Sequence, residues 1–254
     1  MTTTQSPARG RIRVETSPKR IRAYLAGEAV LDTTRARLVW ETPYYPIYYF
    51  PVDDVRGDLL EPEDAVLHSP SRGDGQSFAL VSDERRVPGA ALRYPDSPID
   101  ELRDLVRLEW SALDAWFEEE EEVFTHPRSP YVRVDILPSS RHVRIEVDGV
   151  TLAESTSPWL LFETGLPVRY YLPKTHVRLD LLEETDTSTH CPYKGEASYW
   201  SAHIDGTVHQ DIAWSYPTPL PESERVAGLV AYYDEKLDVY VDGVLQERPR
   251  TKFS

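Results

Sequence analysis

Shifted against itself by about 122 residues, the chain falls back into register over most of its length without a gap. This self-similarity limits the possible folds more than any other feature, because a long repeat period means that one unit is written twice. Ile21-Arg22 falls on Val143-Arg144, and Gly27 on Gly149. Leu38-Val39-Trp40-Glu41-Thr42 falls on Leu160-Leu161-Phe162-Glu163-Thr164, and Tyr48-Tyr49-Phe50-Pro51 on Tyr170-Tyr171-Leu172-Pro173. His68, Pro70, Arg72 and Gly73 fall on His190, Pro192, Lys194 and Gly195. Each unit is large enough to own a core, unlike the short repeat of a solenoid. The expected organisation is a flexible Thr-, Ser- and Pro-rich tail over residues 1–10, a first domain over 11–127 and a second over 128–254.

Within a unit the pattern is that of short antiparallel strands. Val143-Arg144-Ile145-Glu146-Val147 alternates, Asp148-Gly149 turns, and Val150-Thr151-Leu152-Ala153 returns. Asp-Gly supplies the positive φ that a two-residue hairpin turn requires. Asp205-Gly206 and Asp242-Gly243 repeat the device. The expected class is mainly β, two tandem domains each with a short helix. Ser97-Pro98 is a helix-start signal, and Leu102, Leu105, Val106, Trp110 and Leu113 continue it at roughly helical spacing to about Phe117. The expected counterpart runs from Pro221 to about Leu229. Glu118 to Glu122 reads as a solvated acidic run, and Pro127 to Pro130 as the linker.

Composition removes several function classes. The net charge is −15, from 43 Asp and Glu against 28 Lys and Arg. A sequence-independent nucleic-acid binder, or a protein docked on an anionic membrane, needs the opposite sign. The one cysteine, Cys191, permits neither an intramolecular disulfide nor a Cys-rich zinc site. No stretch has the length of a membrane span, and Met1 to Arg13 lacks the apolar core of a secretory signal, so a cytoplasmic location is expected. Oligomeric state is not legible.

Chemistry-bearing residues concentrate in the second copy. Thr189 to Trp200 brings together His190, Cys191, Tyr193, Lys194, Tyr199 and Trp200 around Pro192 and Gly195. A thiol beside a lysine or histidine is a candidate nucleophile, or else a small buried hydrophobe. Lys194 is a candidate ligand contact or catalytic amine, and its aligned partner Arg72 keeps the charge. Glu163, closing an apolar strand, is a candidate acid/base or a buried hydrogen-bonded carboxylate. Arg178 and Asp180, on one face of a strand, either pair to hold the fold or line a cavity. Tyr171 and Arg178 recur in the first copy as Tyr49 and Arg56. Tyr193, Trp200 and Trp214 do not: their partners are Ser71, Phe78 and Leu92, and that of Cys191 is Ser69. No Gly-rich phosphate loop, paired-His metal motif or nucleophile elbow is present.

Leu161-Phe162-Glu163-Thr164, Arg169-Tyr170-Tyr171-Leu172-Pro173, Thr189 to Gly195, Tyr199-Trp200 and Ala213-Trp214-Ser215-Tyr216-Pro217 together resemble the family called domain of unknown function 427. The second copy resembles it throughout, and the first looks like a diverged member. The resemblance implies a β-tent fold, similar to methionine sulfoxide reductase B and the cereblon ligand-binding domain. Those relatives hold zinc with paired Cys-x-x-Cys motifs that this chain lacks, so no metal or cofactor is expected. Family members are sometimes labelled nucleotidyltransferase-like, but no phosphate loop or carboxylate metal motif here supports that label.

The expected function is small-molecule binding, with or without catalysis, in a pocket of the second domain. Tyr193, Lys194, Trp200 and Trp214 would line it, with Glu163, Arg178, Tyr171 and Tyr199 nearby, and a flat ring with a negative group would suit it. The alternatives are a Cys191-dependent enzyme with His190 or Glu163 as base, and a non-catalytic interaction scaffold.

Overall fold

The computed structural model describes residues 12–251, and the expected tail over residues 1–10 lies outside them. The chain divides between Ser129 and Pro130 into two units. The first contains β1 (Arg13–Thr16), β2 (Ile21–Leu25), β3 (Glu28–Thr33), β4 (Arg37–Trp40), β5 (Ile47–Pro51) and β6 (Leu60–Ser69). It continues with β7 (Gly73–Val81), β8 (Arg86–Arg93), β9 (Leu105–Leu108), β10 (Ala115–Glu118) and β11 (Glu121–Val123). The second contains β12 (Val134–Pro138), β13 (Val143–Val147), β14 (Val150–Ser155), β15 (Trp159–Glu163), β16 (Arg169–Tyr171) and β17 (Leu182–Cys191). It continues with β18 (Gly195–Ile204), β19 (Thr207–Ser215), β20 (Val230–Tyr232), β21 (Asp238–Val241) and β22 (Val244–Leu245).

The strand orders match. The first unit has a seven-stranded sheet, β1-β4-β5-β9-β8-β7-β6, and a four-stranded one, β11-β10-β2-β3. The second has β12-β15-β16 and β17-β18-β19-β20, which a single bridge between Leu172 and Val230 links edge to edge, and a four-stranded sheet β14-β13-β21-β22. Even the irregularities coincide. Register shifts at Ala23/Tyr24, Pro62/Val66 and Phe78/Leu80 recur at Ile145/Glu146, Glu184/Ser188 and Trp200/Ala202. A bulge needs an extra residue at one place, so its recurrence carries the same bend and twist into both units. The β13–β14 hairpin turns through Asp148 (φ 50) and Gly149 (φ 78), and β2–β3 does the same through Ala26 (φ 51) and Gly27 (φ 78).

The middle strands of the large sheets are buried on both faces, their successive residues entering different cores, while the edge strands β6 and β17 are largely exposed. Tyr48 and Phe50 enter one core of the first unit with Leu25, Val106 and Trp116, while Tyr49 enters a second with Val39, Leu92, Tyr94 and Leu105. In the second unit Leu172 joins Ile145, Leu152, Ile212 and Val239, whereas Tyr171 joins Leu161, Tyr199, Trp214 and Tyr216. At about 1.5–3 kcal/mol for each fully buried large apolar side chain, these cores are the main favourable contribution to the fold.

The helix expected up to Phe117 does not form. The segment is a 3-10 turn (Asp100–Leu102), then β9, a second 3-10 turn (Trp110–Ala112) and β10. Its apolar residues imitate helical spacing because β9 is covered on both faces: Leu105 lies in one core and Val106 in the other. A strand buried on both sides loses its alternation. The counterpart after Pro221 is likewise a 3-10 turn, Pro221–Val226, followed by strand from Val230. The acidic run is not all solvated either. Glu118 is buried, accepts a hydrogen bond from the Tyr48 hydroxyl (2.8 Å) and pairs with Lys19, while Glu119 to Glu122 are exposed.

Candidate functional site

The β17–β18 hairpin tip is shaped by backbone contacts. The Lys194 amide donates to the Cys191 carbonyl (3.3 Å), and the Lys194 carbonyl accepts from the Leu220 amide (3.1 Å). Ser223 Oγ donates to the Tyr193 carbonyl (3.0 Å). Gly195 has φ +93°, and a Cβ there would sit 3.4 Å from the Leu220 nitrogen. Glycine thus allows both the left-handed backbone and the close approach of the 218–220 segment. The tip is held against that segment, and Lys194 is turned inward.

Inside, Lys194 Nζ meets Glu163 Oε2 at 2.5 Å, with only about a tenth of either side chain exposed (11% and 9%). Burial alone would lower the Lys194 pKa, but the neighbouring Cys191 and Glu163 outweigh it and hold the ammonium above its ordinary value. The first unit builds the same pair from the aligned residues: Arg72 Nη1 lies 2.8 Å from Glu41 Oε2, again largely buried. Cys191, half-buried, packs at the margin of the second core of its unit.

Aromatic rings enclose the cluster. Trp214 Nε1 donates to the Tyr171 hydroxyl (3.2 Å), and their rings meet edge to face at 6.4 Å. Trp214 also contacts Tyr233 at 4.6 Å between centroids, and the Arg169 guanidinium lies 5.6 Å from the Trp214 ring. The Tyr199 hydroxyl hydrogen-bonds Thr189 Oγ1 (2.8 Å) and lies 3.4 Å from the Tyr233 hydroxyl. Burial pushes the pKa values of Tyr171, Tyr216 and Tyr233 well above that of a free phenol, so all three stay neutral.

Cys191, Lys194, Glu163, Tyr171, Tyr199 and Trp214 are therefore brought together, and four other candidates are not. Arg178 stands in an exposed turn and pairs with Asp180 (2.6 Å). His190, next to Cys191 on β17, is exposed and faces Glu196 at 3.9 Å. Trp200 follows Tyr199 and so takes the opposite face of β18, packing on the other core with Lys174 5.3 Å from its ring. Tyr193 is half-buried in the hairpin tip, its carbonyl held by Ser223. The negative ligand group expected from the cations loses its basis, because Glu163 compensates Lys194 and Asp180 compensates Arg178. Reasoning from sequence missed Arg169 and Tyr233. Strand alternation could have found Arg169, two residues before Tyr171 and therefore on its face.

A cavity of about 180 Å³ in the second unit is bordered by Tyr170, Asp234, Leu237 and Val239, and one of about 110 Å³ in the first by Ser77, Leu92 and Arg107. Lys194, Cys191 and Glu163 border neither. Among the described residues, no three His, Cys, Asp or Glu are grouped to hold a metal ion, and no helix is long and apolar enough to cross a membrane.

The model of one protein family, described as a domain of unknown function (DUF427), matches the chain twice, over residues 13–119 and 135–243. The comparison with curated proteins returns no match.

Proposed function

On the premise that the chain belongs to the DUF427 family, whose domain it carries twice, we propose that it is a cytosolic small-molecule-binding protein with its working site in the second unit, at the margin of the Cys191–Lys194–Glu163 cluster. The observation that carries this reading is the asymmetry of a shared plan. Both units keep a buried cation–carboxylate pair at the hairpin tip, but only the second surrounds it with a thiol and Tyr199, Trp214 and Tyr233. A neutral flat ring is the ligand we assign to this margin, because aromatic side chains offer offset and edge contacts to a ring. The hydroxyls of Thr189, Tyr199 and Tyr233 offer it polar partners.

One observation favours thiol chemistry as a second reading: the Cys191 thiol lies beside the Lys194 ammonium, which also pairs with Glu163. His190 is then no base for it, since it leaves the opposite side of β17.

The test uses Cys191 as its own reporter. Iodoacetamide alkylation of the full chain is timed with benzamide or benzoate present. Protection by benzamide that exceeds protection by benzoate, and that Trp214→Leu abolishes, is the expected result. Equal alkylation rates with and without every compound, or protection indifferent to Trp214→Leu, would overturn the reading.

A further inference from the structure

The second unit also buries a carboxylate that the cluster around Lys194 does not use. Arg169 forms a two-pronged pair with Glu235, at 2.9 and 2.5 Å, and Glu235 accepts a further hydrogen bond from Thr251 Oγ1 (2.6 Å). Asp234 lies next in sequence, but its carboxylate is 3.6 Å from Arg169, beyond hydrogen-bonding distance. One guanidinium thus faces two buried carboxylates and is committed to Glu235. Asp234 is only 7% exposed and borders the cavity of about 180 Å³. The other walls include Tyr170, the apolar Leu237 and Val239, the amide of Gln246 and a second carboxylate, Glu247. No lysine, arginine or histidine borders the cavity among the described residues.

We propose that this cavity is a binding site for a small organic ammonium ion, its charge on Asp234 and its carbon body against Leu237, Val239 and Tyr170. The size fits, since an apolar cavity of about 150 Å³ takes up a molecule as large as benzene. The charge fits, since a buried carboxylate without a full partner is costly and a bound cation supplies that partner. A tyrosine ring adds attraction for a cation near its face. A divalent metal fits poorly: calcium takes about 6–8 oxygen ligands, and the walls here are largely apolar. Burial first, and then Glu235, push the Asp234 carboxyl up to about 7 against the pull of Arg169. The ammonium therefore binds more tightly as pH rises through that value, because the proton on Asp234 competes with it.

The experiment is calorimetric titration of the full chain with benzylammonium and, separately, with neutral benzyl alcohol. Benzylammonium is expected to bind at least tenfold more tightly than the alcohol. Asp234→Asn should remove that advantage, and Glu247→Gln, at an exposed position whose change leaves the fold intact, should reduce it. The inference is overturned if benzylammonium fails to bind, if the alcohol binds equally well, if the ammonium's advantage survives Glu247→Gln and Asp234→Asn unchanged, or if calcium chloride binds in its place. Cys191 alkylation in the presence of benzylammonium keeps this result separate from the site at Lys194.

Discussion

At the scale of single residues, the buried pairs dominate. Lys194 and Glu163 compensate each other's charge in a largely buried position, and Arg72 and Glu41 do so in the first unit. Removing one partner leaves an uncompensated buried charge, which costs about 3–5 kcal/mol, whereas replacing both by apolar residues is often neutral. Lys194→Met should therefore lower the urea midpoint strongly, and adding Glu163→Leu should restore much of it. If the double variant is no more stable than the single one, the pair is not coupled as described. Asp234 gives the opposite case. Its folded-state pKa, about 7, lies above the ordinary 3.8. The folded state thus holds a proton that the unfolded state releases, and the resulting stability is present below pH 4 and lost as pH rises through 7. Asp234→Asn should be more stable than the parent at pH 8, with the difference shrinking towards pH 4. Thermal unfolding at the two pH values checks it, and a difference independent of pH would refute it.

At the scale of elements, one glycine marks where two units with the same strands differ in packing. In the first unit Gly75 on β7 lies under Tyr94: a Cβ there would fall 2.8 Å from Tyr94 Cε1 and 2.9 Å from Leu92 Cδ1. The Tyr94 ring sits 5.2 Å from the Arg72 guanidinium. In the second unit the aligned residue is Ala197, fully buried in the core that also holds Tyr216. Gly75→Ala should cost about 1–3 kcal/mol by overpacking, while Ala197→Gly should cost about 0.5–1 kcal/mol through backbone entropy. Chemical denaturation of the two variants tests this, and equal costs would deny the steric difference. The same scale shows what was legible in the sequence. The Asp148-Gly149 hairpin was readable because its turn demands a residue type. The stretch from Leu102 to Phe117 was not, since a strand covered on both faces has no solvent side to mark its period. For the site, Glu163, Lys194 and Tyr171 were readable from the repeat. Trp200 misled because its side of the strand depends on register, and Arg178 because its neighbour Asp180 had already claimed it.

At the scale of the whole molecule, duplication has left two units that each own two cores, and every core draws its residues from one unit. The sequence made this visible at once, because it is carried by spacing alone. Stability is then a property of each unit, and a single free energy of unfolding does not describe the chain. Each unit also has a private reporter. In the first, the indoles of Trp110 and Trp116 stack at 4.5 Å with planes 10° apart, close enough for their electronic transitions to couple. In the second, Cys191 is the only thiol of the chain, half-buried against its core. Lys194→Met should shift the exposure of Cys191 to lower urea and leave the signal of the stacked tryptophans nearly in place. Arg72→Met should do the reverse, because it breaks the pair with Glu41 and the contact with the Tyr94 ring, both within the first unit. Substitutions in separate cores with no shared partners are expected to act independently, within about 0.5 kcal/mol. If each variant moves both reporters by the same amount, the two units unfold as one, and the account of two self-contained domains fails.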